Sequence, residues 1–178
     1  LLAAAAQAQP ASGDVGKVIF VFGTANLERG NVMPLSKGLG LQPRDKVTTG
    51  SNGRTQLRMI DNSKIALRPN SEIIVQQIVK ASRSEAGAVA SDNNSDKAVF
   101  QLLKGGLRTL TGDIGGKEPG EYQLITPVAT IGIRGTAYSV ALADPAECIK
   151  AGGSPGKSPV ALYVTVSDGE IYIENDAG

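Results

Sequence analysis

The 178-residue sequence contains no histidine, no tryptophan and a single cysteine, Cys148. Histidine is the most frequent general base and metal ligand in proteins, so its absence removes the usual catalytic triads and many metal sites. A lone cysteine excludes an internal disulfide and a zinc site built from several cysteines, and a catalytic thiol would need a base. We therefore expect no catalytic, cofactor-binding or metal-binding residues, and a protein that is not an enzyme.

The chain also lacks an excess of one charge and any long apolar run. Its 18 basic and 17 acidic residues give a formal net charge of +1, which offers no reason to expect a nucleic-acid partner. No stretch approaches the roughly 18 apolar residues of a membrane-spanning helix. The short apolar run Leu1 to Ala6 leads into Ala6-Gln7-Ala8, the small-x-small pattern of a secretory signal cleaved before Gln9. We interpret residues 1–14 as a signal-peptide remnant or an extended N-terminal tail, and expect a periplasmic or extracellular protein.

What the chain does contain is β-strand patterning. Glycine (22) and proline (9) punctuate short segments in which apolar residues alternate with polar ones, and helical signals are nearly absent. The pattern predicts an all-β single domain over residues 15–178, made of antiparallel hairpins in a sandwich, a roll or a solenoid-like stack. Residues 80–98 and 143–159 are polar or rich in glycine and proline, so we expect exposed loops there. The continuous apolar run Val18 to Phe22 predicts a strand buried on both faces.

Three short polar segments predict turns of hairpins. They are Ser51-Asn52-Gly53, Asp61-Asn62-Ser63 and Asp168-Gly169. Three-residue loops at the first two and a two-residue turn at the third keep the apolar residues of paired strands on one face. The expected partners are Val47 with Leu57 at the first turn, Met59 with Ile65 and Leu57 with Leu67 at the second, and Val166 with Ile171 at the third.

The outward positions around the second turn are mostly basic. Such a row is commonly a solvated sheet face, and the alternative is a surface for an anionic ligand or partner. A further arginine, Arg134, lies between two glycines, where it could bind a carboxylate or a sugar or satisfy backbone carbonyls. We retain Arg58, Arg68 and Arg134 as candidate interaction residues. The whole row is Arg54, Gln56, Arg58, Lys64 and Arg68.

The segment Thr126 to Val140 changes the face of its apolar residues. Large apolar residues occupy odd positions before Gly135 and even positions after it. Because side chains along a strand alternate between faces, such a change requires a bulge or a bend. We predict this irregularity between Gly132 and Gly135, with Ile131 and Tyr138 both buried.

Several segments, taken in order, resemble the FecR domain family of bacterial extracytoplasmic proteins. The resemblance spans about residues 15 to 175. The segments are Gly16 to Gly23 (opening strand), Asp45-Lys46-Val47-Thr48-Thr49-Gly50, Leu57 to Ser71 with its Asp61-Asn62-Ser63 centre, Leu102 to Arg108 with Gly105 and Arg108, Thr126 to Val140 with its Gly132-Ile133-Arg134-Gly135-Thr136 signature, and the strands that flank Asp168-Gly169.

The resemblance implies a non-catalytic module for protein interaction or sensing in the bacterial envelope. Its partner would be another envelope protein, a second copy of the chain or a cell-wall glycan, with no nucleic acid and no membrane span. FecR regulators carry a cytoplasmic anti-sigma segment and a membrane helix ahead of this domain, and we expect a protein lacking both. The alternative is a structural subunit of a surface or extracellular filament, joined by β-strand addition through the N-terminal tail.

Overall fold

The computed structural model describes residues 13–80, 96–116, 120–143 and 160–175, which are almost entirely β-strand. One short 3₁₀-helix, Ile114–Gly116, accompanies the strands in these ranges, so the all-β prediction is confirmed. Among these residues no helix is long and apolar enough to cross a membrane. The strands are β1 (Gly16–Phe22), β2 (Ala25–Arg29), β3 (Asn31–Pro34), β4 (Gly40–Leu41), β5 (Lys46–Thr49), β6 (Arg54–Met59), β7 (Lys64–Leu67), β8 (Glu72–Val79), β9 (Lys97–Lys104), β10 (Gly106–Leu110), β11 (Tyr122–Ile125), β12 (Thr130–Ala143) and β13 (Ala161–Glu174).

These strands form one mixed sheet with two limbs that meet at β12. The first limb runs β3-β2-β5-β8-β9-β11, and the second runs β10-β7-β6-β1-β4. Residues Thr130 to Gly132 of β12 pair with β11, and Ala137 to Ala141 pair with β10 on the same edge. The opposite edge of β12 pairs with β13 along its length. All pairs are antiparallel except β9 with β11.

The sheet curls so that both limbs cover a single hydrophobic core. Inward positions alternate with outward ones along strands such as β6, where Thr55, Leu57 and Met59 are buried and the residues between them are exposed. Leu27 and Ile73 of the first limb and Leu57 and Ile65 of the second belong to one buried cluster. Burying each such side chain stabilises the fold by about 1.5–3 kcal/mol, so the two limbs hold each other closed.

A buried carboxylate fixes the crossing between the limbs near β4. Asp45 is 1% exposed and accepts hydrogen bonds from Arg29 Nε at 2.7 Å and Arg29 Nη2 at 2.5 Å. It also accepts from the backbone N–H of Gln42 at 2.7 Å, while Arg29 Nη2 donates to the carbonyl of Gly40 at 2.9 Å. One ion pair thus joins the end of β2, strand β4 and the turn before β5.

The predicted hairpin at Ser51-Asn52-Gly53 is wrong. Strand β5 pairs with β2 and β8, whereas β6 pairs with β1 and β7, so Val47 does not lie opposite Leu57. The chain crosses from one limb to the other at this point instead of turning back. A Cβ on Gly53 would lie 2.0 Å from the carbonyl oxygen of Thr24, so the glycine serves the close packing of this crossing.

The second predicted hairpin forms, but its register differs by two residues. Leu57 pairs with Ile65 and Arg58 with Lys64, and the backbone N–H of Met59 donates to the carbonyl of Ser63 at 2.9 Å. The loop is therefore Ile60 to Asn62. It is held by the Asp61 carboxylate, which accepts from the N–H and the hydroxyl of Ser63 at 3.1 and 2.7 Å. Since a shift of two preserves the face, the inward set is confirmed as buried: Leu57, Met59, Ile65 and Leu67.

The third predicted hairpin, at Asp168-Gly169, is also wrong. Strand β13 runs continuously from Ala161 to Glu174 and pairs with β12, so Val166 lies opposite Tyr138 and Ile171 opposite Ile133. Strands β12 and β13 are each 14 residues long and pair at 12 positions, so their ladder forms more backbone hydrogen bonds than a short hairpin within β13 could.

The irregularity in β12 lies slightly beyond its predicted place. Pairing with β13 is regular through Arg134 and shifts between Arg134 and Tyr138, so Gly132 lies in regular strand. Gly135 has a φ of +59°, the left-handed conformation that favours glycine. Ile131 and Tyr138 are both buried, as predicted.

Other predictions fall on segments that are not described, or not wholly so. The tail over residues 1–14 and the loops over 80–98 and 143–159 lie largely outside the described residues, and Cys148 lies wholly outside them. The domain boundaries stay predictions.

Candidate binding face

The outer surface of the second limb carries a concentrated set of cations. Strands β1, β6, β7 and β10 have no acidic residue in their sequences. The predicted row of Arg54, Gln56, Arg58, Lys64 and Arg68 is exposed, as are Lys17 and Arg108 on two neighbouring strands. We call this surface the basic face, and its cations are Lys17, Arg54, Arg58, Lys64, Arg68 and Arg108.

Three of these cations stand directly opposite one another across adjacent strands. Lys17 of β1 pairs in register with Arg58 of β6, and Arg58 pairs with Lys64 of β7. Neighbouring strands are about 4.8 Å apart, and like charges in directly opposite positions destabilise a sheet. Two unit charges 4 Å apart in water repel by about 1 kcal/mol, which is an upper limit for the charged ends of these long side chains. The fold therefore contains two like-charge pairs that a sequence with alternating charges would avoid.

Three ion pairs lie elsewhere in the described part of the chain. Lys46 pairs with Glu28, Lys80 with Asp113, and Arg29 with Asp45. Across the described residues, no cation of the basic face lies within ion-pair distance of a carboxylate. Uncompensated cations on one face produce a positive potential that attracts an acidic partner.

Arg58 is held in place at one end of the row. Its Nη2 donates to the side-chain oxygen of Asn62 at 2.8 Å, and the Asn62 amide donates to the Asp113 carboxylate at 3.3 Å. The same carboxylate accepts from Lys80 Nζ at 2.6 Å, and this hydrogen bond raises the pKa of Lys80. The chain of contacts restricts the Arg58 side chain, so less conformational entropy is lost when a partner binds.

Two phenylalanines lie beside the cations, contrary to the prediction for Val18 to Phe22. Phe20 and Phe22 are 44% and 62% exposed, so the strand is not buried on both faces. The register of β1 with β6 shifts between Val18 and Phe20, and this bulge turns both rings outward. The rings border an open depression of about 390 Å³ that Arg54, Gln56 and Ala66 also line.

The three arginines predicted as interaction residues do not share one surface. Arg58 and Arg68 belong to the basic face. Arg134 is exposed on β12, at the start of its bulge, and lies in register opposite Glu170 of β13. The structure thus brings Arg58 and Arg68 together but does not place Arg134 on the same strands.

Sequence reasoning missed Lys17, Arg108 and the two exposed phenylalanines. Lys17 and Arg108 each lie between buried neighbours, so alternation alone marks them as outward. Their membership of the row depends on β1 pairing with β6 and β10 with β7, which are distant in sequence. The bulge that exposes Phe20 and Phe22 has no evident signal in the sequence.

The described residues thus form a curled all-β sheet with a positively charged, partly aromatic outer face. Among the described residues, no three His, Cys, Asp or Glu side chains are grouped so as to hold a metal ion.

The family model described as FecR protein matches residues 45–172, and the chain therefore belongs to the FecR family. The family indicates a signalling or sensing module of the bacterial envelope. Comparison with curated proteins and with solved structures found no match.

Proposed function

We propose that the chain is a non-catalytic, extracytoplasmic interaction module that binds an acidic partner protein through the basic face. The row formed by Lys17, Arg58 and Lys64 carries this proposal, because its three cations are in register without an intervening carboxylate. A stabilising sequence would alternate charges at these positions. The membership of an envelope-associated family supports a periplasmic or extracellular location.

The composition of the face favours a protein as the partner. Arginine and aromatic residues are enriched in protein interfaces and lysine is depleted, and the basic face has four arginines, two lysines and two exposed phenylalanines. Its side chains project from strands of one continuous sheet, so their spacing is set before binding. A preorganised face of this kind suits a matching acidic surface.

Electrostatic attraction at such a face depends on ionic strength. An exposed ion pair contributes about 0.2–1 kcal/mol, so neutralising three arginines should weaken binding by about tenfold. The Debye length falls from about 30 Å at 0.01 M salt to about 8 Å at 0.15 M, so binding should weaken markedly over this range.

The test is capture of envelope proteins on the immobilised chain, compared between two triple variants. Arg58→Gln, Arg68→Gln and Arg108→Gln neutralise the basic face. Lys37→Gln, Lys97→Gln and Lys104→Gln remove the same charge from exposed positions elsewhere. We expect one acidic protein to be retained by the wild type and the control and lost from the face variant. Equal capture by all three would refute the proposal.

Two defined polyanions separate a protein partner from a glycan. Poly-L-glutamate presents carboxylates on a peptide chain and polygalacturonate presents them on a sugar chain. Each is titrated as a competitor of the captured protein, with circular dichroism confirming that the variants remain folded. Competition by poly-L-glutamate supports the proposal. Competition by polygalacturonate alone, with no captured protein, would assign the face to a glycan instead.

A further inference from the structure

The outer edge of β13 is unusually open for an edge strand. This strand has 14 residues and pairs, within the described part of the chain, only with β12. Proteins usually protect edges with short strands, lysines or prolines. Strand β13 has no lysine, arginine or proline, whereas the edge strand β3 has four residues and ends at Pro34.

The C-terminal half of β13 presents an acid–aromatic–acid pattern on one side. Glu170, Tyr172 and Glu174 alternate along the strand, so their side chains share a face, and all three are exposed. Tyr172 packs over Gly132, where a Cβ would lie 2.5 Å from the ring. Because the aromatic ring lies between two carboxylates, the pattern reads the same in both strand directions.

A complementary edge exists on β1 of the second limb. Gly16 and Lys17 pair with β4, but from Ile19 to Phe22 the only partner of β1 among the described residues is β6. The outward residues of this free stretch are Phe20 and Phe22, and Phe22 lies in register with Arg54. The edge therefore offers two aromatic rings with a guanidinium on the next strand.

We propose that β13 of one copy of the chain adds to the free edge of β1 of a second copy. With Tyr172 opposite Phe20, a glutamate lies opposite Phe22 whichever direction the strand takes, in the same cross-strand row as Arg54 on the next strand. An aromatic pair across adjacent strands contributes roughly 0.2–1 kcal/mol, and the attraction between the glutamate and Arg54, two strands apart, adds less than that. The inference rests on the proposed function as an interaction module, and it names a second copy as one acidic partner.

Pairing of two β13 edges is less favourable than this arrangement. Strand β13 contains three carboxylates and no basic residue, so two such strands side by side would bring like charges together. The β13–β1 contact joins two different surfaces, so in a pair one copy keeps its β1 edge free and the other keeps its β13 edge free. Such a heterologous contact extends into an open chain of subunits.

Mixing two variants of the full chain, each with one of the two edges blocked, tests the proposed contact. Glu170→Lys with Glu174→Lys blocks the β13 edge, and Phe20→Ser with Phe22→Ser blocks the β1 edge. The molar mass of each is measured by light scattering and sedimentation up to millimolar concentration at low salt. We expect the weight-average mass of the wild type to at least double with concentration, and each variant alone to stay monomeric. Their mixture should form a dimer and no larger species.

The other possible outcomes either overturn the inference or identify a different occupant of the β13 edge. A wild type that is monomeric at millimolar concentration overturns the inference, as does a mixture that stays monomeric while the wild type assembles. Assembly that is lost on deleting residues 1–12 but kept in the Phe20→Ser, Phe22→Ser variant would assign the occupant of β13 to the N-terminal tail. Lys97→Gln with Lys104→Gln should assemble like the wild type. The capture experiment uses Arg58, Arg68 and Arg108, which this contact does not need, so either proposal can fail without the other.

Discussion

Replacing Asp45 by alanine should destabilise the protein more than removing any exposed charge. The Asp45 carboxylate is buried, and three hydrogen bonds converge on it from Arg29 and the backbone of Gln42. Its loss leaves the Gln42 N–H without its carboxylate acceptor and frees an arginine that also binds the carbonyl of Gly40. The hydrogen bond that Arg29 donates to Asp45 is the main reason that the pKa of Arg29 is raised.

The expected size of the effect follows from the burial of the pair. Breaking a buried ion pair by removing one partner costs about 3–5 kcal/mol. The Arg29 side chain is 34% exposed, so water recovers part of its hydration. We therefore expect the free energy of unfolding to fall by about 2–4 kcal/mol. Arg29→Lys keeps the charge but loses the bidentate geometry, and should cost about half as much.

Urea unfolding followed by circular dichroism measures these changes. The matched control is Lys46→Gln, which removes an ion pair with Glu28 whose side chains are 30% and 45% exposed. That change should cost less than about 1 kcal/mol. If Asp45→Ala cost no more than Lys46→Gln, the view that this carboxylate holds the limb crossing together would be wrong.

Three further predictions concern two buried tyrosines, a closely packed glycine with positive φ and an exposed phenylalanine ring. Burial raises the pKa of Tyr122 and of Tyr138 above 10, so both stay protonated in the folded state while the unfolded chain ionises. The free energy of unfolding should therefore fall above about pH 10 by about 1.4 kcal/mol per pH unit for each tyrosine. The fall should be less steep in the Tyr122→Phe, Tyr138→Phe variant. Urea unfolding at several pH values would measure both slopes. Gly105→Ala should lower the melting temperature more than Gly30→Ala. Both glycines have positive φ (75° and 72°), but a Cβ at Gly105 would lie 2.4 Å from two oxygens and one at Gly30 would meet nothing within 4 Å. Phe22→Ser should change the free energy of unfolding by less than about 0.5 kcal/mol, because the ring is exposed; a large loss would contradict its position.

The inward and outward faces of strands could be predicted from the sequence, but their partners could not. Alternation is local, so the buried and exposed sides of β6 and β7 followed directly from the order of residues. Strand partners depend on the curled sheet as a whole. A strong turn signal at Asp168-Gly169 was overridden because a longer ladder with β12 was available. At Asp61 the turn was recognised, but the hydrogen bonds from Ser63 to the carboxylate selected a different register.

The difference between local patterns and long-range strand pairing also explains which residues of the basic face could be predicted from the sequence. Arg58 and Arg68 could be found because they flank one local turn. Lys17 and Arg108 come from strands far away in sequence, and no local pattern indicates that they border the same row. The exposure of Phe20 and Phe22 depends on a bulge opposite β6, and an apolar run gives no indication that it will be bulged.

The alternation of the chain between the two limbs has a consequence for how the protein folds. Strands β1, β4, β6, β7 and β10 belong to one limb and the strands between them to the other, so neither limb is a contiguous piece of sequence. Almost every strand must find a distant neighbour before the core can close, and proteins dominated by such non-local pairing fold in about milliseconds to seconds rather than microseconds. No cut in the chain separates a limb that could fold first. We expect the β-structure of the described residues to form and melt as one cooperative unit, with slow refolding as its kinetic signature.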